Sequence, residues 1–179
     1  MVQVRRAVES DCAGIAAVQV DSYRTAYAPF FPVDYIEHFT YAEQTQDWLD
    51  LFNAGMPDIL LVAVTPEEQV LGYTLARAKA DIPGYAAEIV AMHVRPDSKQ
   101  QGIGTQLLRA VVEKLQELGC QSAMLWTLQG NPARRWYEKL GGTLITEKTD
   151  WLDDWPVTEV AYGWSDILAL ARATGAGKV

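Results

Sequence analysis

The residue types that could do chemistry gather around one short loop. It is Lys99-Gln100-Gln101-Gly102-Ile103-Gly104-Thr105. A β-like run from Ala87 to Val94 feeds it. A helical pattern follows at once, with Ile103, Leu107, Leu108, Val111, Leu115 and Leu118 recurring on one face. A loop between a strand end and a helix start points free backbone N–H groups at one spot, and the positive end of the helix dipole adds to them. Such a place binds phosphate. Gly102 and Gly104 have no Cβ, so a ligand can approach the backbone closely. Two titratable groups, Glu88 and His93, lie on the strand just before the loop. By strict alternation they point to opposite faces, unless a bulge intervenes.

Two familiar phosphate loops do not fit. A dinucleotide fingerprint needs a third glycine where Leu107 stands, and a Walker A loop needs a lysine after Gly104, where Thr105 stands. An ordinary strand–helix turn remains the plain alternative. The chain has 179 residues and a formal net charge of -8. That length suits one domain with a real core. The acidity argues against nucleic acid, which needs a basic face, and hints only weakly at a cationic substrate. The first residues lack the apolar core of a signal peptide. No apolar run reaches the roughly 20 residues of a membrane span. A cytoplasmic location and no membrane partner are therefore expected. Cys12 and Cys120, the only cysteines, are too few for a zinc site, and no metal is expected; they read as reduced packing residues.

The elements that must hold the loop can be read along the chain. A short strand spans Val2 to Val8. Ser10-Asp11 reads as an N-cap before a helix through Ile15, Val18 and Ser22. Thr40 and Glu43 form a capping box before a second helix, with Gly55 after its end. Residues 59–64 and 70–78 read as a hairpin. Ser122 to Leu128 is the strand after the loop's helix. Pro132 opens a short helix and Gly141-Gly142 closes it. Strands at Thr143–Thr146 and Val157–Trp164 follow, joined by an acidic, Trp-containing loop, and then a short helix within Ser165–Ala173. A single domain over residues 1–173 and a frayed tail at 174–179 are expected. The order of elements gives a mixed α/β class and no more.

A second segment sharpens the first. It reads Asn131-Pro132-Ala133-Arg134-Arg135-Trp136-Tyr137-Glu138-Lys139-Leu140-Gly141-Gly142. Together with Lys99 to Gly104, in this order and at this distance, it resembles the GNAT superfamily of N-acetyltransferases. Lys99 stands where that superfamily usually has Arg or Gln, and Trp136 where Phe is common. The resemblance reaches to about Trp164; the two motif segments are specific and the aromatic N-terminal match is loose. It implies an α+β fold with a mixed, mostly antiparallel central sheet flanked by helices.

The resemblance also implies a function. An acetyl group would pass from acetyl-CoA, the cosubstrate, to the primary amine of a small molecule or peptide. The amine would attack directly in a ternary complex. Lys99, Gln100, Gln101, Gly102, Ile103, Gly104 and Thr105 would hold the pyrophosphate. Met92, His93 and Val94 would meet the pantetheine arm where their strand diverges from Ser122–Leu128, and Asn131 would contact it too. Tyr137, which alone reads as a core aromatic, would protonate the departing thiolate. Glu88 is the expected base, with His93 as its rival, although Glu88 reads equally as an exposed strand residue. Tyr27 and Phe30, with Tyr23, line the acceptor pocket or form plain core. Asp150, Asp153, Asp154, Trp151 and Trp155 form either a cation-binding wall or an acidic surface loop. The chain could form a homodimer. A rival reading is an acyl-CoA sensor or regulatory module without turnover.

Overall fold

The computed structural model describes residues 1–55, 59–152 and 155–175. Strands β1 (Gln3–Arg6), β2 (Ile59–Val64), β3 (Val70–Arg77), β4 (Ala87–Val94), β5 (Ala123–Leu128), β6 (Thr143–Leu152) and β7 (Trp155–Trp164) form one sheet, in the order β1-β2-β3-β4-β5-β7-β6. Every neighbouring pair is antiparallel except β4 and β5. β2 is Ile-Leu-Leu-Val-Ala-Val and every residue is buried, as a strand covered on both faces requires. Its alternate side chains serve two layers. Ile59 and Leu61 pack with Leu108, Val111 and Leu115 of α4 (Ile103–Glu117). Leu60 and Val62 pack with Ile15 and Val18 of α1 (Cys12–Ser22) and Trp48 of α3 (Tyr41–Asn53). Ile167 and Leu170 of α6 (Ile167–Ala173) join the α4 layer. The fold is the mixed, mostly antiparallel sheet between helices that the sequence resemblance implies.

Three local features differ from the sequence reading. First, β6 and β7 keep pairing through Asp150↔Val157 and Leu152↔Trp155, so the supposed acidic loop is strand. The segment alternates Thr146, Thr149 and Trp151 with charged residues, and such β-branched and aromatic types suit a pleated surface. Asp153 and Asp154 lie outside the described residues. Second, α1 runs into one π-helical turn, Tyr23–Tyr27, and a 3-10 turn, Ala28–Phe30. Pro32 then caps a further helix, α2 (Val33–His38), with its fixed φ. Third, Thr174 is buried and its hydroxyl donates to the Ala171 carbonyl. Residues 176–179 of the expected tail lie outside the described residues.

The α1 layer holds one unmet group. Tyr73 of β3 is fully buried, and no described group bonds its hydroxyl. Its ring meets Trp48 edge-on at 5.2 Å and stacks on His93 at 5.3 Å. Leaving a buried hydroxyl unpaired costs about 1–3 kcal/mol. Tyr73→Phe keeps the ring and removes that cost. It is expected to raise the unfolding free energy by about 1 kcal/mol, seen as a later urea midpoint with an unchanged slope. A lower midpoint would mean that the hydroxyl does find a partner.

Candidate active site

The site begins with a break in pairing. β4 and β5 pair only at Ala87↔Ala123 and Glu88↔Met124, while β4 stays bonded to β3 as far as Gly72↔Val94. Beyond Glu88 the two parallel strands therefore part, and β4 shows β5 an unpaired edge. β4 also carries a bulge. Leu75 faces Ala91 but Ala76 faces Ile89, so Val90 is an extra residue. Ile89 and Met92 both point into the α4 layer, whereas Ala91 and His93 belong to the α1 layer. Glu88, flanked by Ala87 and Ile89 of the α4 layer, thus shares a face with His93 after all.

Two cavities open where the strands part. The larger, about 490 Å³, is lined by Val94, Lys99, Gln100, Gly102, Ile103, Gly104, Thr105 and Asn131 among others. The other, about 410 Å³, is lined by Tyr23, Phe31, Tyr35, Trp126, Asp150, Trp151 and Glu159 among others. Tyr27, Met92, His93 and Tyr137 wall both. Both volumes suit small-molecule sites. Charge is sorted between them: Lys99 is the one ionic side chain lining the first, and Asp150 and Glu159 are the two lining the second, among the described residues.

The floor of the larger cavity is the loop. Gln100 and Gly102 both have positive φ, 63° and 78°, and Gly102 is the N-cap of α4. A Cβ on Gly102 would touch nothing, so its glycine answers to the backbone conformation and leaves open space above it. The next backbone N–H groups, at the first turn of α4, have no partner within the helix. Gln101 does not line this cavity; its amide leans on the Asp97 carbonyl at 3.5 Å. Asn131 is a tie. Its Nδ2 donates to Thr127 Oγ1 at 2.9 Å and to the Tyr27 hydroxyl at 3.3 Å, and its Oδ1 accepts from the Ala133 N–H at 2.9 Å. It thereby joins β5 and the π turn at the entry to α5 (Arg134–Lys139).

Two titratable side chains stand at the junction. Tyr137 of α5 is buried against Trp136, Tyr162 and Trp164. Its hydroxyl has no hydrogen-bond partner among the described residues. Burial, and then Tyr27, pushes the phenol well above its ordinary value. His93 stacks with Tyr73 and Tyr23 and tilts against Tyr27. Burial, and then the charge of Lys99, lowers its imidazole to about 4, so it is neutral at pH 7.

Two other expected residues lie elsewhere. Glu88 lines neither cavity; its carboxylate accepts from Arg77 Nε at 3.0 Å and Nη2 at 2.5 Å. Phe30 packs on Gly130, where a Cβ would collide with its ring, and its carbonyl accepts from Trp155 Nε1 at 3.2 Å. The neighbouring Phe31 lines the acidic cavity instead. A signal for this was readable. Tyr23, Tyr27, Phe31 and Tyr35 stand four residues apart, and all four face that cavity. Trp126 and Glu159 had no such signal, because each is brought in by the register of β5 and β7.

Comparison with known proteins agrees with the fold. The acetyltransferase (GNAT) family matches residues 20–142. An uncharacterized N-acetyltransferase of Bacillus subtilis (strain 168), YuaI, is 30% identical over 171 residues, covering 95% of this chain and 96% of that protein. Among solved structures, the PaiA N-acetyltransferase of Thermoplasma acidophilum, in complex with coenzyme A, superposes with a TM-score of 0.65 at 15% identity, covering 92% of this chain and 99% of that one. An N-acetyltransferase of Staphylococcus aureus Mu50 gives 0.68 at 18% identity, covering 93% and 99%. From the extent of the sequence match, the chain belongs to the acetyltransferase (GNAT) family.

Proposed function

We propose that this enzyme transfers the acetyl group of acetyl-CoA to a primary amine by direct attack, with both substrates bound. The observation that carries the reading is the junction: Tyr27, Met92, His93 and Tyr137 wall two cavities of opposite electrostatic character. Such a wall brings two reactants into contact, which is worth several kcal/mol in avoided entropy loss. The larger cavity fits CoA. Gly102 leaves its upper side open, Lys99 supplies a cation, and the first turn of α4 supplies N–H donors for a pyrophosphate. The unpaired edge of β4 at Met92, His93 and Val94 offers backbone groups to the amides of the arm, and one N–H there to the thioester oxygen.

When bound, acetyl-CoA supplies an activated acyl carbon and a thiolate leaving group. The chain supplies the proton traffic. Tyr137 keeps its proton at any working pH and its hydroxyl has no hydrogen-bond partner among the described residues, so it is free to donate to the leaving sulfur. An alkylamine arrives mostly protonated at pH 7, since such amines titrate near 10.4. His93 reaches the junction and is neutral at pH 7; lowered to about 4, it is too weak a base to hold that proton, so it serves as a hydrogen-bond acceptor that orients the amine while the proton leaves to solvent. Glu88, the base that the family resemblance implies, is paired with Arg77 and lines neither cavity. No cysteine nucleophile is needed: Cys12 and Cys120 are buried and line neither cavity.

The test is thiol release from acetyl-CoA in the presence of a panel of primary amines. Release well above the rate without amine is expected for at least one class. If acetyl-CoA binds but thiol forms only at the background rate with every amine, the chain is a sensor and the transfer reading fails.

A further inference from the structure

The acidic cavity contains a seat for a cation, and the protein currently fills it with its own side chain. The seat is built around Trp126 of β5. The indole N–H donates to both oxygens of Asp81, at 3.1 and 2.9 Å, which fixes the plane of the ring. Lys148 Nζ lies over that ring, 4.3 Å from its centroid. The same ammonium is 3.2 Å from Glu159 Oε2 and 3.6 Å from Asp150 Oδ2. Trp126, Asp150 and Glu159 all line the cavity; Lys148 reaches them from β6.

Three facts argue that this seat serves a ligand. The first is charge. Asp150 and Glu159 both meet one ammonium, so two carboxylates share a single positive charge, and Asp81 adds a further negative charge at the indole N–H. The second is mobility of the resident. The Lys148 side chain is 40% exposed, so it can swing into water at little cost. The third is a polar group without a partner. Tyr137, only 7% exposed as a residue, lines the same space, and its hydroxyl has no hydrogen-bond partner among the described residues. A cavity of about 410 Å³ holds far more than a single amine group. Tyr137 and His93, which line it, also wall the donor cavity, whereas Trp126 lines this cavity alone.

We infer that the acceptor carries a second cationic group, which takes the place of the Lys148 ammonium between the Trp126 ring and the carboxylates of Asp150 and Glu159. The inference rests on the transfer reading above for the role of the cavity, and names the class of its acceptor: an extended amine with a positive charge at each end. A cation over an indole, with carboxylates beside it, is favoured by cation–π and Coulomb attraction together. A neutral hydroxyl in the same place gains neither.

Calorimetric titration of the full chain with 1,4-diaminobutane and, separately, 4-amino-1-butanol tests the seat. The diamine is expected to bind at least about tenfold tighter. Glu159→Gln is expected to remove most of that preference while moving the amino alcohol less than about twofold. Lys148→Gln, which vacates the seat, is expected to tighten the diamine severalfold. Asp150→Asn, at a residue whose side chain is 71% exposed, repeats the Glu159 test without burdening the fold. Equal affinity for the two amines, no binding of either, or a preference unmoved by both acidic variants overturns the inference. Thiol release with the same two amines separates it from the reading on which it rests. Comparable turnover of both refutes the cation seat and keeps the transfer. Selective diamine binding without turnover of either keeps the seat and refutes the transfer.

Discussion

Tyr137→Phe is expected to lower kcat about a hundredfold, at the low end of what general acid catalysis contributes, while the Kd for acetyl-CoA stays within about twofold. The substitution removes one oxygen and nothing else. The ring is held by Trp136, Tyr162 and Trp164, with centroids 5.4 to 6.2 Å away. Those contacts survive in phenylalanine. The hydroxyl makes no hydrogen bond within the described residues, so its loss strands no partner. Stability should therefore be unchanged or slightly higher, which separates a chemical defect from a folding one. The size of the effect is limited by the leaving group, because a thiolate is tolerably stable near neutral pH, with thiols titrating near 8.5. The effect should accordingly shrink as pH rises toward that value. A kcat equal to wild type at neutral pH would remove Tyr137 from the acid role and leave it as wall.

The parts of this site that were legible in the sequence share one property: they are local. The glycine loop is a strand end, two glycines and an apolar stripe within a few residues, and its strand and helix form where the pattern puts them. The capping box at Thr40 and Glu43 is equally local; Thr40 Oγ1 accepts from the Glu43 N–H at 3.3 Å. What the sequence left open was the count of faces along β4. Alternation separates Glu88 from His93, but the extra residue at Val90 restores them to one side, and a bulge exists only with respect to a partner strand. The fate of Glu88 has the same origin. It is the register partner of Arg77 across β3 and β4, and that pairing settles where its charge goes. The acidic hairpin also needed a partner to be read. Asp150 looks like loop until Val157 is found opposite it. The cation seat is the extreme case, since Asp81, Trp126, Lys148 and Glu159 come from four separated segments.

Gly102→Val should weaken acetyl-CoA binding by about thirtyfold or more, the strongest effect expected at the donor cavity, and a matched control shows why strain alone does not account for it. Gly102 has φ 78° and caps the N-terminus of α4; Gly119 has φ 81° and follows the other end of the same helix. Neither would bring a Cβ within 4 Å of another group. Both positions therefore impose the same cost on a β-branched residue, on the order of 1–3 kcal/mol for left-handed backbone. Valine at either site is expected to lower stability by a similar amount. Only at Gly102 does the strained turn aim backbone N–H groups into the larger cavity, and only there does the new side chain fill space that a phosphate must enter. Calorimetry on both variants, below their unfolding transitions, should show near-wild-type acetyl-CoA affinity for Gly119→Val and a large loss for Gly102→Val. Equal affinities in the two variants would mean that the loop is an ordinary strand–helix turn and that the pyrophosphate is held elsewhere.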